Sequence, residues 1–344
     1  MRTKAMMRTA LFVVVALAVA PWRPAHATGV LDSLRGGAPL ACGVVSEETD
    51  FTKFDTHGGL DDIESEFCKA VAVAASGEKA QIKVTRYPDE QSALKALAAA
   101  KIDLLAGATP TASNEALYGI AFGPPIFIDG QGFMVRKDSG IKSLRDLAGK
   151  QVCFVDDTET QRQLEAAAQE QGIKILPYPW SETGEMDAGL VSGHCAAMTG
   201  DVSMLAEQRA DFHARKSDFV ILRQTITLDP LAPAVRRGDA QWASIVAWTV
   251  EALLQAEASG VTKANVEAMR KSDDPAIRRL LGTDRAAAHA LGLGDDWAAQ
   301  TIRAVGNYGE LFARSVGPGT EYDLARGPNA LWKDGGMLYP LPLR

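Results

Sequence analysis

Three short polar stretches, each following a run that reads as a β-strand, hold most of the residues in this chain whose types suit chemistry. Thr109-Pro110-Thr111-Ala112-Ser113-Asn114 follows residues 102–105 (IDLL), Asp156-Asp157-Thr158-Glu159-Thr160 follows residues 151–155 (QVCFV), and Thr199-Gly200-Asp201 follows a strand expected over 196–198. The hydroxyls of Thr109, Thr111 and Thr158 can donate hydrogen bonds to a bound molecule or can simply shape turns. Asp157 and Glu48 either make a cleft acidic or face solvent, as most carboxylates do. Taken alone, Asp201 suits a helix cap or a turn. Acid catalysis would need a carboxylic acid of raised pKa facing a substrate, and Glu159 or Asp157 are the candidates, with nothing in the sequence to show such a shift. There is no Walker loop and no Gly-x-Ser-x-Gly elbow, and Gly292-Leu293-Gly294 lacks the rest of a dinucleotide fingerprint. The five histidines are scattered and the cysteine spacings match no zinc site, so no metal and no cofactor is expected.

The elements that must position these residues alternate strand and helix. Residues 40–45 (LACGVV) form a short buried strand, Ile63, Phe67, Val71 and Ala74 fall at helical spacing before Gly77, and residues 81–87 alternate as a strand. Leu94 and Leu97 mark the next helix and IDLL a third strand, which together describe an α/β lobe with a mostly parallel sheet whose strand-end loops form the binding edge. Residues 126–137 (IFIDGQGFMVRK) then read as an extended run interrupted by Gly130 and Gly132, a first crossover into a second lobe. A second apolar run, 219–228 (FVILRQTITL), carries the chain back ahead of Pro230 and Pro233. Between them the pattern restarts: a serine-capped turn at 143–150, the strand 151–155, a helix around 164–168 stopped by Gly172, a strand at 173–176, a short helix at 188–191 and the strand 196–198. After the return, Trp242, Ile245, Val246, Thr249 and Leu253 share one helix face, and helical periodicity recurs around 297–312 before a Gly/Pro-rich tail; this portion is placed on the first lobe. Two crossovers make a hinge, and a hinge between lobes makes a cleft for a ligand.

Composition gives an address. Arg2, Lys4 and Arg8 precede an apolar run at 11–20 that is too short to span a bilayer, and Ala25-His26-Ala27 is a small-x-small site, so residues 1–27 read as a secretory signal cleaved near Ala27. Losing that segment takes the formal charge from -7 to -11, since it holds four basic residues and no acidic one. An acidic, exported chain without a Lys/Arg cluster suits neither nucleic acid nor anionic lipid, and no later stretch would insert the mature chain in a membrane. Its 344 residues suffice for two domains. Cys42, Cys68, Cys153 and Cys195 all remain after cleavage; an even count in an oxidising compartment predicts two disulfides, and four cysteines permit three pairings.

The chain resembles one family along its whole mature length. The matching pieces are Phe67-Cys68-Lys69-Ala70-Val71-Ala72, residues 129–136 (DGQGFMVR), 233–236 (PAVR), Gly238-Asp239 with Gln241-Trp242, 305–310 (VGNYGE), and Asn329-Ala330-Leu331-Trp332 with Gly335-Gly336. Together they resemble the periplasmic amino-acid-binding proteins of ABC transporters, in the general L-amino-acid and Glu/Gln/Asp/Asn branch. The resemblance implies an α/β type II periplasmic binding protein: two α/β lobes joined by a two-stranded hinge, with a C-terminal helical extension. It places residues 28–130 and 226–344 in the first lobe and 131–225 in the second, and pairs Cys42 with Cys68 and Cys153 with Cys195. It also implies that Asp201 anchors a ligand ammonium. In the family, a Thr-x-Thr-x-x-Arg segment grips the ligand's carboxylate; here Thr109 and Thr111 are kept but Asn114 stands at the arginine position. A neutral amide cannot reproduce a bidentate guanidinium–carboxylate pair. Asp157 replaces a usual glycine in the second-lobe turn, where it would repel a ligand carboxylate, beside a retained Thr158. Glu48 stands near a usual apolar wall residue.

The expected function is therefore periplasmic capture of a small amine-bearing solute, an amino acid or a relative of one, for delivery to an inner-membrane ABC permease, by a monomer. The ligand set expected is Asp201, Thr109, Thr111, Asn114, Asp157, Thr158 and Glu48. Two alternatives differ in class: a binding-protein-like periplasmic accessory or sensor that binds another protein, and an enzyme on the same scaffold. The reading favours no enzyme.

Overall fold

A computed structural model of the chain describes residues 29–46, 59–282 and 285–343. The expected signal over 1–27, its cleavage point near Ala27, and Glu48 all lie outside the described residues.

The first half of the chain builds one sheet from βα units: α1 (Val30–Arg35), β1 (Leu40–Val45), α2 (Leu60–Ser76), β2 (Ile82–Tyr87), α3 (Glu90–Ala98), β3 (Leu104–Ala108), α4 (Ala112–Tyr118) and β4 (Ile120–Phe122). β1 pairs in parallel with β2 and β3. Every residue of β3 is buried, which its Leu-Leu-Ala-Gly-Ala composition permits and which parallel sheets covered on both faces demand. The Ile102–Leu105 run expected as a strand is therefore shifted: Ile102 packs beneath the sheet and pairing starts at Leu104. α2 ends where Gly77 takes a positive φ of 80°, as its sequence signal predicts.

The chain leaves this sheet through β5 (Phe127–Asp129) and enters a second through β6 (Gln131–Arg136). Gly130 and Gly132, which interrupt the extended run in sequence, are required here by close packing. A Cβ on Gly130 would collide with the backbone carbonyl of Thr227, and one on Gly132 would lie 2.8 Å from Val202 Cγ2. Close passage of neighbouring chain, not unusual dihedrals, selects glycine here.

The second sheet follows with β7 (Gln151–Val155), α5 (Glu159–Glu170), β8 (Leu176–Trp180), α6 (Thr183–Ser192), β9 (Ala197–Asp201), α7 (Val202–Asp211) and β10 (Phe219–Ile221). Its strand order is β10-β6-β9-β7-β8. β8 starts only at Leu176, not over 173–176, and carries Pro177 and Pro179; as an edge strand it needs no donor on its outer side. The expected crossover at 219–228 is also corrected. Only Phe219–Ile221 is a strand, and it stays in the second sheet. The return strand is β11 (Asp229–Arg236), which holds both prolines and runs antiparallel to β3, β4 and β5. Pro233 falls where the register with β3 shifts, between Ala232 and Ala234, so its missing N–H breaks no regular ladder.

α8 (Ala240–Ala258) buries Trp242, Ile245, Val246 and Leu253 as its pattern predicts, and Thr249 Oγ1 satisfies itself on the Ile245 carbonyl at 2.7 Å. Three short helices follow, α9 (Val266–Met269), α10 (Pro275–Leu280) and α11 (Ala286–Leu291), then α12 (Trp297–Val305) and α13 (Tyr308–Ser315). Most of this extension shares one core with α1, α2 and the first sheet. A smaller cluster, however, joins Ile63 and Phe127 to Ala206 of α7 and to Phe312, Val316 and Leu324, so the extension also touches the second sheet's side. The disulfides are Cys42–Cys68, tying β1 to α2, and Cys153–Cys195, tying β7 to the approach to β9. This is the pairing the resemblance implied. Among the described residues no helix is long and apolar enough to cross a membrane.

Candidate functional site

Where the two sheets face each other, a cleft of about 430 Å³ opens at the carboxyl ends of their parallel strands. A cavity of about 470 Å³ lies at the opposite, amino ends of β1 and β2, lined by Leu34, Val73 and Trp297 among others; it touches neither crossover. Parallel α/β sheets place ligands at carboxyl strand ends, where loops and helix starts converge, so the interlobe cleft is the site.

One wall comes from the first sheet: Val45 and Ser46 end β1, Gly107 and Thr109 end β3, Glu64 rises from α2, and Asp89 and Glu90 open α3. Glu64 is buried, its Oε2 accepting the Val45 N–H at 3.2 Å, and a Cβ on Gly107 would collide with its carboxylate. Asp89 caps α3, accepting from the Ser92 N–H and hydroxyl, each at 2.7 Å, and this bonding holds its pKa below the usual carboxylate value. The facing wall is Glu159, Thr160 and Gln163 of α5, Asp201 at the end of β9, and Ser203, Met204 and Glu207 of α7. The floor is the hinge: Asp129 and Asp229 are direct cross-strand partners in the β5–β11 ladder, and both line the cleft. Burial pushes the Asp129 carboxyl up, opposed by hydrogen bonds from Ser203 and the Gly130 N–H. Eight carboxylates line the cleft, and no Lys, Arg or His is among the described lining residues.

The structure brings some sequence-expected residues together here and leaves others outside. Asp201 lies in the cleft and, although at the start of α7, makes no side-chain capping bond, so the plain capping role is not the one it plays. Thr109 also lines the cleft. Thr111 and Thr158 cap α4 and α5: Thr111 Oγ1 accepts the Asn114 N–H at 3.0 Å, and Thr158 Oγ1 donates to the Val155 carbonyl at 2.7 Å. Asn114 turns its amide to Glu90 and the Thr109 carbonyl, at 3.0 and 3.1 Å. Asp157 is exposed in a left-handed turn (φ 56°), its N–H donating to Gln161. None of Thr111, Asn114, Asp157 and Thr158 is a lining residue. Glu64, Asp89, Glu90, Asp129, Glu207 and Asp229 were missed. The rule that strand-end loops form the binding edge would have reached Asp89 and Glu90 just past β2; the hinge pair needs the register.

A family model described as NMT1/THI5 like matches residues 126–204. The general L-amino acid-binding periplasmic protein AapJ of Rhizobium johnstonii is 38% identical over 317 residues, covering 91% of this chain and 92% of that protein. The glutamate/glutamine/aspartate/asparagine-binding protein BztA of Rhodobacter capsulatus is 36% identical, covering 98% of this chain and 100% of the relative. The chain belongs to the family of periplasmic amino-acid-binding proteins of ABC transporters. A solved ABC transporter periplasmic binding protein from Brucella ovis, with glutathione bound, superposes on this member with a TM-score of 0.74 at 35% identity, covering 92% of this chain and 99% of that one. The two-sheet, two-crossover architecture is thus that of the family's type II binding proteins.

Proposed function

We propose that this protein captures a small amine-bearing solute, an amino acid or a relative of one, in the periplasm and delivers it to an inner-membrane ABC permease. The observation that carries this reading is the cleft's charge: carboxylates on both walls and the floor, facing no cation among the described lining residues. Amino acids, for which the relatives are named, and the glutathione of the Brucella ovis structure share an α-ammonium and an α-carboxylate, and of the two it is the ammonium that a carboxylate-lined cleft attracts. Asp201 is the anchor for that group. Truncating one partner of a buried charge pair costs about 2–5 kcal/mol, roughly 30- to several-thousand-fold in affinity.

The lobes are residues 28–130 with 226–344, and residues 131–225. Contacts from both to one ligand exist only when the cleft is shut, so binding favours closure. Residues 1–27 are the export signal, and the mature protein acts as a monomer. A thermal-shift panel of amines, amino acids and amine-free acids tests the reading: a ligand at about 100 times its Kd stabilises by ~2.7 kcal/mol. Amine-bearing solutes raise Tm and Asp201→Asn abolishes the rise. Amine-free acids raising Tm while amines do not would overturn it.

A further inference from the structure

On the first-sheet wall, three donors that would suit an anionic ligand are already spent on the protein's own carboxylate. The Thr109 N–H and the Thr109 hydroxyl both donate to Glu90 Oε2, at 2.9 and 2.8 Å, and Asn114 Nδ2 donates to Glu90 Oε1 at 3.0 Å. Three donors from the β3–α4 turn therefore converge on one side chain from the start of α3. Such convergence of a main-chain N–H, a hydroxyl and an amide is what recognises a carboxylate. Glu90 is only partly buried and lines the cleft, and its recorded partners among the described residues are the neutral donors of Thr109 and Asn114. Its carboxylate is hydrogen-bonded but paired with no described cation.

We propose that Glu90 acts as a built-in occupant of this carboxylate-binding wall and sets specificity: it excludes a ligand carboxylate and presents a negative charge, so the cleft takes a solute with a second cationic end, an aliphatic diamine. This rests on the solute-capture reading above, with one ammonium at Asp201 and the other at Glu90. The hinge floor points the same way. Asp129 and Asp229 oppose each other directly across the ladder and both line the cleft, adding acidic acceptors between the two ends. A free carboxylate entering beside Glu90 would find the Thr109 and Asn114 side-chain donors already engaged and a like charge within contact, whereas an ammonium finds an acceptor already held in place.

Titration calorimetry with 1,4-diaminobutane, 1,5-diaminopentane, L-glutamine, L-glutamate and glutathione, on the wild type, Glu90→Ala and Glu90→Gln, decides the matter. The wild type binds the diamines more tightly than the three carboxylate-bearing probes. Both variants weaken diamine binding at least tenfold, and Glu90→Ala, with three donors released, tightens L-glutamine. Ligand-free Tm and circular dichroism of each variant check that the fold is kept; Glu90→Gln retains an acceptor for the Thr109 donors and isolates the charge. Should the wild type prefer L-glutamine, L-glutamate or glutathione, or should the variants leave the diamines unchanged, the inference fails while solute capture stands. If no probe of either kind binds, the inference fails, and the thermal-shift panel decides solute capture separately.

Discussion

Asp187 of α6 carries a buried Oδ1 with no hydrogen-bond partner, and burial together with the nearby Asp211 carboxylate raises its pKa from 3.8 to about 7. A carboxylate whose folded pKa exceeds its unfolded one binds more protons when native, so stability falls as pH rises through that window and is flat above it. Asp187 is only half-buried, and solvent screening reduces the effect to on the order of 1 kcal/mol. Urea midpoints of Asp187→Asn should stay level between pH 4 and 7 where the wild type declines, and the variant should be the more stable at pH 8; parallel pH profiles would contradict this. The same scale shows where sequence reading stops. A threonine after a strand gives one signal for two roles, and at Thr111 and Thr158 the hydroxyl goes to a helix start. Asp201 sits in an equivalent place yet makes no cap, and only the structure separates the cases.

At the scale of elements, strands and helices with buried, uninterrupted apolar patterns were legible: β1, α2, β7 and α8 fall where periodicity puts them. Of the misplaced strands, β8 and β11 both contain two prolines, which local propensity counts against a strand; an edge position and a register shift accommodate them, and neither is visible in sequence. The acids of the cleft come from α2, the start of α3, α5, the end of β9, α7 and both crossovers, so no window of sequence contains the site. Another tertiary device is Asn329, whose buried side chain takes the place of a strand beside β5: Oδ1 accepts the Ile128 N–H at 2.7 Å and Nδ2 donates to its carbonyl at 2.8 Å. Asn329→Ala strands both backbone groups and should cost about 2–4 kcal/mol, read from the denaturation midpoint at constant slope. A loss under ~0.5 kcal/mol would show that the extension does not hold the hinge strand.

For the whole molecule, the C-terminal extension links the two sides. Arg209 of α7 donates to the carbonyls of Tyr322 and Asp323, and Tyr322 lines the cleft. Burial lowers the Arg209 pKa, so this guanidinium is held by the carbonyls and the Asp323 charge against a desolvation cost. Arg209→Ala should therefore speed amide exchange across 317–324 and weaken solute binding several-fold without unfolding the protein; unchanged exchange there would assign the extension to the first sheet alone. An acidic, partly open cleft also makes amine binding salt-sensitive, and affinity should fall between about 0.05 and 0.5 M salt as screening shortens the reach of its carboxylates.

The most direct test of the central claim is the solute the protein itself carries. Protein isolated gently from periplasm, unfolded, and its released small molecules identified by mass spectrometry should yield a compound with an aliphatic amine, lost from Asp201→Asn prepared in parallel. Release of an amine-free acid, retained in that variant, would contradict the account.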